Sequence, residues 1–221
     1  MSPESHSAST PENAAPIVNG ADFESMFLAW SAEIRSVIQP DEDWALIGIK
    51  RRGSILARRL WDDYRQEFPA LEFGEVDISL YRDDFHLQLN KPRLLGTEID
   101  FNVDGCRILL IDDVLYTGRT IRAALNQILD FGRPKQVLLA VLVDRGHREL
   151  PIAADFTGRR IETAVDDSVR VHVCEMDDED NLSPVFNNAM KQTLNSRLPA
   201  SQQKNLDEHL VKTWKGFLER K

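Results

Sequence analysis

The 221-residue chain has only two cysteines, Cys106 and Cys174, and they stand far apart. That spacing fits neither a zinc knuckle nor a disulfide framework, so a reducing cytoplasm is the simplest reading. No apolar run reaches the roughly 18 residues of a membrane span. The polar N-terminal stretch lacks the apolar segment of a signal peptide. No Gly-x-Gly-x-x-Gly follows a strand and no Walker Gly-Lys-Ser/Thr is present, so dinucleotide binding and P-loop hydrolysis have no support. Excess positive charge is missing as well. The formal net charge is −9, which argues against indiscriminate coating of nucleic acid and leaves room only for a local basic face.

What remains is the composition of a globular domain, with 42% hydrophobic and 29% charged residues. The length suits one ordinary domain with extensions. Residues 1–20 are rich in Ser, Pro, Ala and Asn and read as a disordered leader. Residues 21–183 form the expected domain and carry −11. From 184 to 221 the balance turns to +4. There Leu206, Leu210, Trp214 and Phe217 recur at helical spacing, which predicts a basic helical C-terminal extension. Docking onto the core or a sister subunit is the plainer role for this tail. A nucleic-acid arm is the sharper one.

Periodicity sketches the rest. Phe23, Met26, Phe27, Trp30, Ile34, Val37 and Ile38 predict a helix over 22–38. Trp44 to Ile49 reads as a buried strand, 54–67 as a helix, and Val76, Ile78 and Leu80 as a strand. Residues 83–104 read as a long exposed loop. Strands are predicted at 108–111, 137–143 and 169–173, and a helix at 119–131 ended by Gly132. Helices alternating with apolar strands predict an α/β fold with a mostly parallel sheet flanked by helices.

The richest stretch is Ile108-Leu-Leu-Ile-Asp-Asp-Val-Leu-Tyr-Thr-Gly-Arg-Thr120. It reads as a buried strand, two acids, a small-residue loop and a helix start. Asp112 and Asp113, at the strand's end, can accept hydrogen bonds from two ribose hydroxyls. Val114, Leu115, Tyr116, Thr117, Gly118, Arg119 and Thr120 then lead into a helix N-terminus, where free N–H groups and the helix dipole favour a phosphate. Gly118 allows close backbone approach, and Thr117 and Thr120 can add hydroxyl donors. A strand–turn–helix with a solvated acid pair is the bland alternative.

This stretch resembles the phosphoribosyl-diphosphate (PRPP) binding motif of type I phosphoribosyltransferases. Its Val-Leu-Tyr-Thr-Gly-Arg-Thr wording is similar to that of the PyrR family, which pairs uracil phosphoribosyltransferase activity with regulation of pyrimidine genes. The likeness runs from about Leu46 to Leu182. It includes Ile47-Gly-Ile-Lys-Arg-Arg-Gly53, Gly74-Glu-Val-Asp-Ile-Ser-Leu-Tyr-Arg-Asp-Asp84 and Val141-Leu-Val-Asp-Arg-Gly-His-Arg-Glu-Leu-Pro151.

The resemblance implies the type I phosphoribosyltransferase fold with a flap loop, magnesium acting with PRPP, and self-association into a dimer or larger homo-oligomer. It implies that uracil and PRPP give UMP and pyrophosphate. Lys50, Arg51, Arg52 and Gly53 would form the pyrophosphate loop, which in related enzymes holds a non-proline cis peptide. Arg82 would open a flap that closes over PRPP and excludes water. The flap's core is more apolar here than is usual for the family. Asp144, Arg145 and His147 would line the base pocket, with Arg145 the best side-chain candidate. Asp112, Asp113, Arg82 and Lys50 are the residues expected to carry catalysis. The metal would come through PRPP near Asp112 and Asp113, not through a protein cage. Many type I enzymes have an Asp where this chain has Tyr116, a proposed proton acceptor for a purine nitrogen, so Tyr116 argues against purines.

Other departures concern RNA. The family's RNA-binding face includes the first helix, and RNA binding needs cationic side chains aimed at phosphates. Residues 23–35 offer Arg35 against Glu24 and Glu33. Leu28, Ala29 and Ala32 fall where RNA-binding members are polar or basic, and Ala153 replaces a common Arg, although Arg148, Arg159 and Arg160 remain. The expectation is a kept PRPP site with RNA attenuation lost or rerouted. The alternative is a UMP- or PRPP-sensing regulator that binds RNA with little catalysis.

Overall fold

The computed structural model describes residues 17–79, 96–165 and 167–185. Its elements run α1 (Gly20–Arg35), β1 (Trp44–Ile49), α2 (Arg52–Tyr64), β2 (Glu72–Val76), β3 (Arg107–Leu115) and α3 (Arg119–Phe131). They continue with β4 (Gln136–Asp144), β5 (Phe156–Arg160), β6 (Ser168–His172), α4 (Cys174–Asp177) and β7 (Asn181–Val185). Five strands form one parallel sheet in the order β2-β1-β3-β4-β5. β6 and β7 pair antiparallel as a separate hairpin.

The central strands are apolar throughout because both faces of the sheet are covered. Leu46, Leu109, Ile111 and Leu142 face one core, shared with Phe23 and Trp30 of α1, Leu56 and Leu60 of α2, and Val171 and Leu182 of the hairpin. Their neighbours Ile47, Ile108, Leu110 and Val141 face the other, with Ile121, Ala124 and Ile128 of α3. The alternation follows from the pleat, which sends successive side chains to opposite faces.

Strand order sets the position of a ligand. From β1 the chain goes outward to β2, then returns across β1 to β3. The carboxyl ends of β1 and β3 therefore flank a topological switch point, where open α/β sheets bind ligands. Helix α2 starts there, very close to the sheet. A Cβ on Gly48 would lie 2.3 Å from the Ser54 Cα, and one on Gly53 would lie 2.7 Å from the Ile111 carbonyl oxygen and 3.0 Å from the Asp112 Cα. Two glycines five residues apart are what allow the approach.

Several sequence expectations shift. The folded part begins before residue 21, because Ile17 and Val18 are buried and Val18 bridges Leu182. Apolar side chains in a Ser/Pro-rich stretch gave too little periodicity to reveal this. Helix α1 starts at Gly20, with the Asn19 side chain accepting from the Asp22 N–H, and it ends at Arg35. β3 runs past Ile111 to Leu115, so both acids lie within it. β2 stops at Val76, and β7 extends to Val185, past the boundary expected at 183. β5, α4 and β7 were not anticipated. Residues 1–16, the flap's 80–95 and the tail's 186–221 lie outside the described residues.

The hairpin is held to α2 by charge as well as apolar contact. Arg59 donates to both carboxylate oxygens of Asp180, at 2.9 and 2.8 Å, and to Glu175. Arg59 holds the Glu175 carboxyl below its ordinary 4.5. Burial pushes Asp180 and Asp177 up, but Arg59 and Arg52 respectively draw them below 3.8. Groups depressed in the fold stabilise it above their ordinary values, and that stability fades as pH falls through the folded ones. The clamp's contribution to the melting temperature is therefore expected to be level near neutrality and to fade below about pH 4. Arg59→Gln is expected to cost about 1–3 kcal/mol at pH 7 and to shrink the acid drop. Thermal melts from pH 7 to pH 3 check both; an unchanged acid drop in the variant contradicts the clamp.

Candidate active site

A cleft of about 700 Å³ opens at the switch point. Lys50, Arg51 and Arg52 form one side, Asp77, Ile78 and Ser79 the next, and Asp113 and Met176 complete the lining. The first group is the loop that joins β1 to α2, and its Lys50–Arg51 peptide is cis. Lys50 Nζ lies 3.2 Å from Glu75 and 3.1 Å from Glu98. Burial pushes the Lys50 ammonium down, but Glu98 and Glu75 more than offset this and leave it raised. Arg52 donates to Asp177 through Nε and Nη2, with the shortest contact 2.7 Å. Arg51 is exposed.

The two acids differ. Asp113 reaches the cleft, whereas Asp112 is only 5% exposed, with its Oδ1 accepting the Asp113 N–H at 2.9 Å. Burial and the adjacent Asp113 charge push the Asp112 carboxyl well up. Burial also raises Asp113, opposed by a hydrogen bond from Asp112 and the nearby Arg52 charge. The geometry expected of two ligand-facing carboxylates holds for Asp113 alone; the pleat turns Asp112 inward, under the Gly53 end of α2.

Beyond the acids, Val114 is half-buried and Leu115 buried. Tyr116 to Gly118 then turn into α3. Gly118 has φ 91° and stands at the helix N-cap, where it offers no side-chain cap bond of its own. Helix geometry leaves the first-turn N–H groups outside the helix's own bonding, and the dipole there favours an anion. Thr117 Oγ1 accepts from the Arg119 N–H at 3.3 Å, and Arg119 Nε pairs with Glu149 at 2.7 Å. Thr120 is exposed.

The third segment, Asp144 to Arg148, packs against this loop. The buried Arg145 guanidinium lies 3.8 Å from the centre of the Tyr116 ring, and its Nη2 donates to the Val165 carbonyl at 3.2 Å. Asp144 accepts from the Gly146 N–H at 2.9 Å and pairs with Arg148 at 2.6 Å, so it shapes its own loop. His147 has φ 56°, meets the Thr163 carbonyl at 2.7 Å and sets its ring edge-on to Tyr116 at 6.2 Å.

Lys50, Arg51, Arg52 and Asp113 thus meet at one cleft, whose lining includes neither Gly53 nor residues 114–120. Asp144–His147 contact the Tyr116 loop but do not line that cleft. Arg82 lies outside the described residues. Sequence reasoning missed Asp77, Ser79, Met176 and Asp177, although Asp77 stood inside a quoted block whose alternation was read only as a strand. It also kept Arg148 only as a remaining cation for RNA. Arg148 in fact donates to the carbonyls of Leu115, Tyr116, Gly146 and Ile152, which ties the end of β3 to the loop after β4.

The phosphoribosyl transferase domain family matches residues 26–179. The "Bifunctional protein PyrR" of Ligilactobacillus salivarius is 49% identical over 144 residues, covering 64% of this chain and 81% of its own. That of Elusimicrobium minutum is 43% identical over 173 residues, covering 78% and 97%. A hypoxanthine phosphoribosyltransferase structure from Staphylococcus aureus superposes with a TM-score of 0.56 at 15% identity, over 83% of this chain and 99% of that one. A Trypanosoma cruzi hypoxanthine phosphoribosyl transferase gives 0.58 at 16% identity, over 88% and 100%. At such identity the two structures speak for the fold alone: a type I phosphoribosyltransferase fold. The family match and the relatives at 43–49% identity show that the chain belongs to the phosphoribosyltransferase family and, within it, to the PyrR group.

Proposed function

We propose that the protein transfers ribose 5-phosphate from PRPP to N1 of uracil, giving UMP and pyrophosphate. The observation that carries this reading is Asp113 facing a cation-lined cleft at the switch point, on the strand that leads through Tyr116–Gly118 into α3. A phosphoribosyl ligand has the matching groups: a diol for Asp113, a 5-phosphate for the first turn of α3, and a diphosphate for the Lys50–Gly53 loop.

In the reaction the C1–oxygen bond to pyrophosphate breaks and a C1–N1 bond forms, while the N1 proton leaves to the departing pyrophosphate or to water. Positive charge grows on the sugar and negative charge on the leaving group. Positioning and electrostatics supply most of the catalysis in this scheme. Lys50 would face the leaving group, and Arg145 with Tyr116 would wall the base side. Position 116 offers no carboxylate as a proton acceptor, which favours uracil over a purine.

Magnesium suits the cleft as a substrate-borne ion. Asp113 and Asp77 offer oxygen, the donor magnesium prefers. Among the described residues, the one cluster of three close metal donors is Cys174, Glu175 and Asp180, which does not line the cleft and is bonded by Arg59. The diphosphate and water would hold the ion near Asp113, and it would neutralise charge on the leaving group.

A second reading is favoured by one observation: Lys50 and Arg52 are already ion-paired. The protein would then be a sensor of UMP or PRPP with little turnover. Assays with uracil, hypoxanthine and guanine side by side decide between them. UMP formation from uracil alone is expected. UMP binding with no turnover on any base leaves only the sensor. In the same assay Asp113→Asn is expected to raise the KM for PRPP by roughly 10-fold or more, as for a lost bond to a charged group. Asp112→Asn, at the buried acid that does not line the cleft, is expected to cost about 3-fold or less. Equal effects contradict the assignment of Asp113 as the ribose acceptor.

The RNA role fits less well. On α1, Leu28, Ala29 and Ala32 are exposed beside Glu24 and Glu33, and Arg35 is paired with Glu67. Arg148 is committed to carbonyls, leaving Arg159 and Arg160 exposed on β5. RNA attenuation is on this reading lost or rerouted. A gel-shift titration against the organism's own pyrimidine leader RNA is expected to show only weak, salt-sensitive binding. Tight, sequence-selective binding at physiological salt would sink the idea.

A further inference from the structure

Asp177 ends α4, on the connection between β6 and β7, yet it meets the first residue of α2. Nε and Nη2 of Arg52 reach its carboxylate at 3.2, 2.7 and 2.9 Å. The two side chains are 26% and 17% exposed. Asp177 Oδ2 also accepts the Val173 N–H at 3.2 Å, and Asp177 Oδ1 lies 3.7 Å from Nδ1 of the buried His172. The carboxylate is thus fixed from behind and presents a fork to Arg52.

Arg52 lines the cleft while two of its nitrogens are held by Asp177. It also adjoins the loop's cis peptide at Lys50–Arg51. An arginine side chain has many rotamers, and a bidentate carboxylate selects one before any ligand arrives. Ordering a group in advance lowers the cost of binding. The hairpin does not need this pair to stay docked, because Arg59 holds it separately through Glu175 and Asp180.

We propose that Asp177 is a positioning residue of the transferase: by clamping the Arg52 guanidinium it keeps the Lys50–Gly53 loop in the shape that receives the diphosphate of PRPP. This rests on the reading of the cleft as a PRPP site. Its effect is on diphosphate recognition and not on the ribose monophosphate part of the ligand, which Asp113 and the α3 N-terminus address.

The test is calorimetric titration of the full-length protein with PRPP and magnesium, without any base, and separately with UMP. Asp177→Asn keeps one acceptor oxygen, but it turns the other into an N–H donor and removes the charge, so the fork that holds Arg52 is lost. It is expected to weaken PRPP about 10-fold and UMP less than about 2-fold, with Asp177→Glu between it and the wild type. In an Arg52→Gln background, Asp177→Asn is expected to cost nothing more, since the two act as one unit. Unchanged PRPP affinity overturns the inference. So does an equal loss for PRPP and UMP, or a full loss that persists in the Arg52→Gln background, because either marks a merely structural role. If Asp177→Asn does not fold, Asp177→Glu is read by the same criteria. A wild-type chain that binds no PRPP overturns the reading of the cleft and this inference with it.

Discussion

The closeness of α2 to the sheet is the constraint on which the site depends. Helix α2 begins where β1 and β3 diverge, and it lies so near the sheet that Gly48 and Gly53 leave no room for a Cβ. Pulling the helix in this far brings the Lys50–Gly53 loop to the edge of β3. Asp113 then faces the same cleft as Lys50 and Arg52. A methyl group at either glycine would push the helix outward and separate the cationic side of the cleft from the acidic one. The apolar strands supply the platform; the two glycines decide how close the charges come.

Those charges are held by partners within the chain. Lys50 sits between Glu75 and Glu98, Arg52 is gripped by Asp177, and Arg145 lies on Tyr116. Each cation thereby has a defined place on a surface that would otherwise repel itself. Arg148 serves the neutral side of the same task, gathering four carbonyls so that the turn into α3 keeps its shape. The site is built from partners drawn from β2, α4 and the loop after β4, which are distant in sequence.

Local signals explain what could be read beforehand. The apolar run at Trp44–Ile49 and the helix at Arg119–Phe131 appear where periodicity put them, because their own side chains determine them. The acid pair and the Gly118 turn were legible for the same reason. β5 was not, since Phe-Thr-Gly-Arg-Arg has little apolar pattern and exists through its pairing with β4. Asp177 and Arg148 were illegible as supports because their roles depend on contacts made 125 and 32 residues away. The inward turn of Asp112 was hidden too, because strand alternation could not say which acid would face the ligand until the strand was seen to continue to Leu115.

The central claim is that one cleft holds a phosphoribosyl group between Asp113 and the N-terminus of α3. A crystal structure of the protein with UMP tests it most directly. The account predicts the ribose diol on the Asp113 carboxylate and the 5-phosphate on the backbone N–H groups of Thr117–Thr120. UMP with its phosphate on the Lys50–Gly53 loop, or with its ribose away from Asp113, would contradict it.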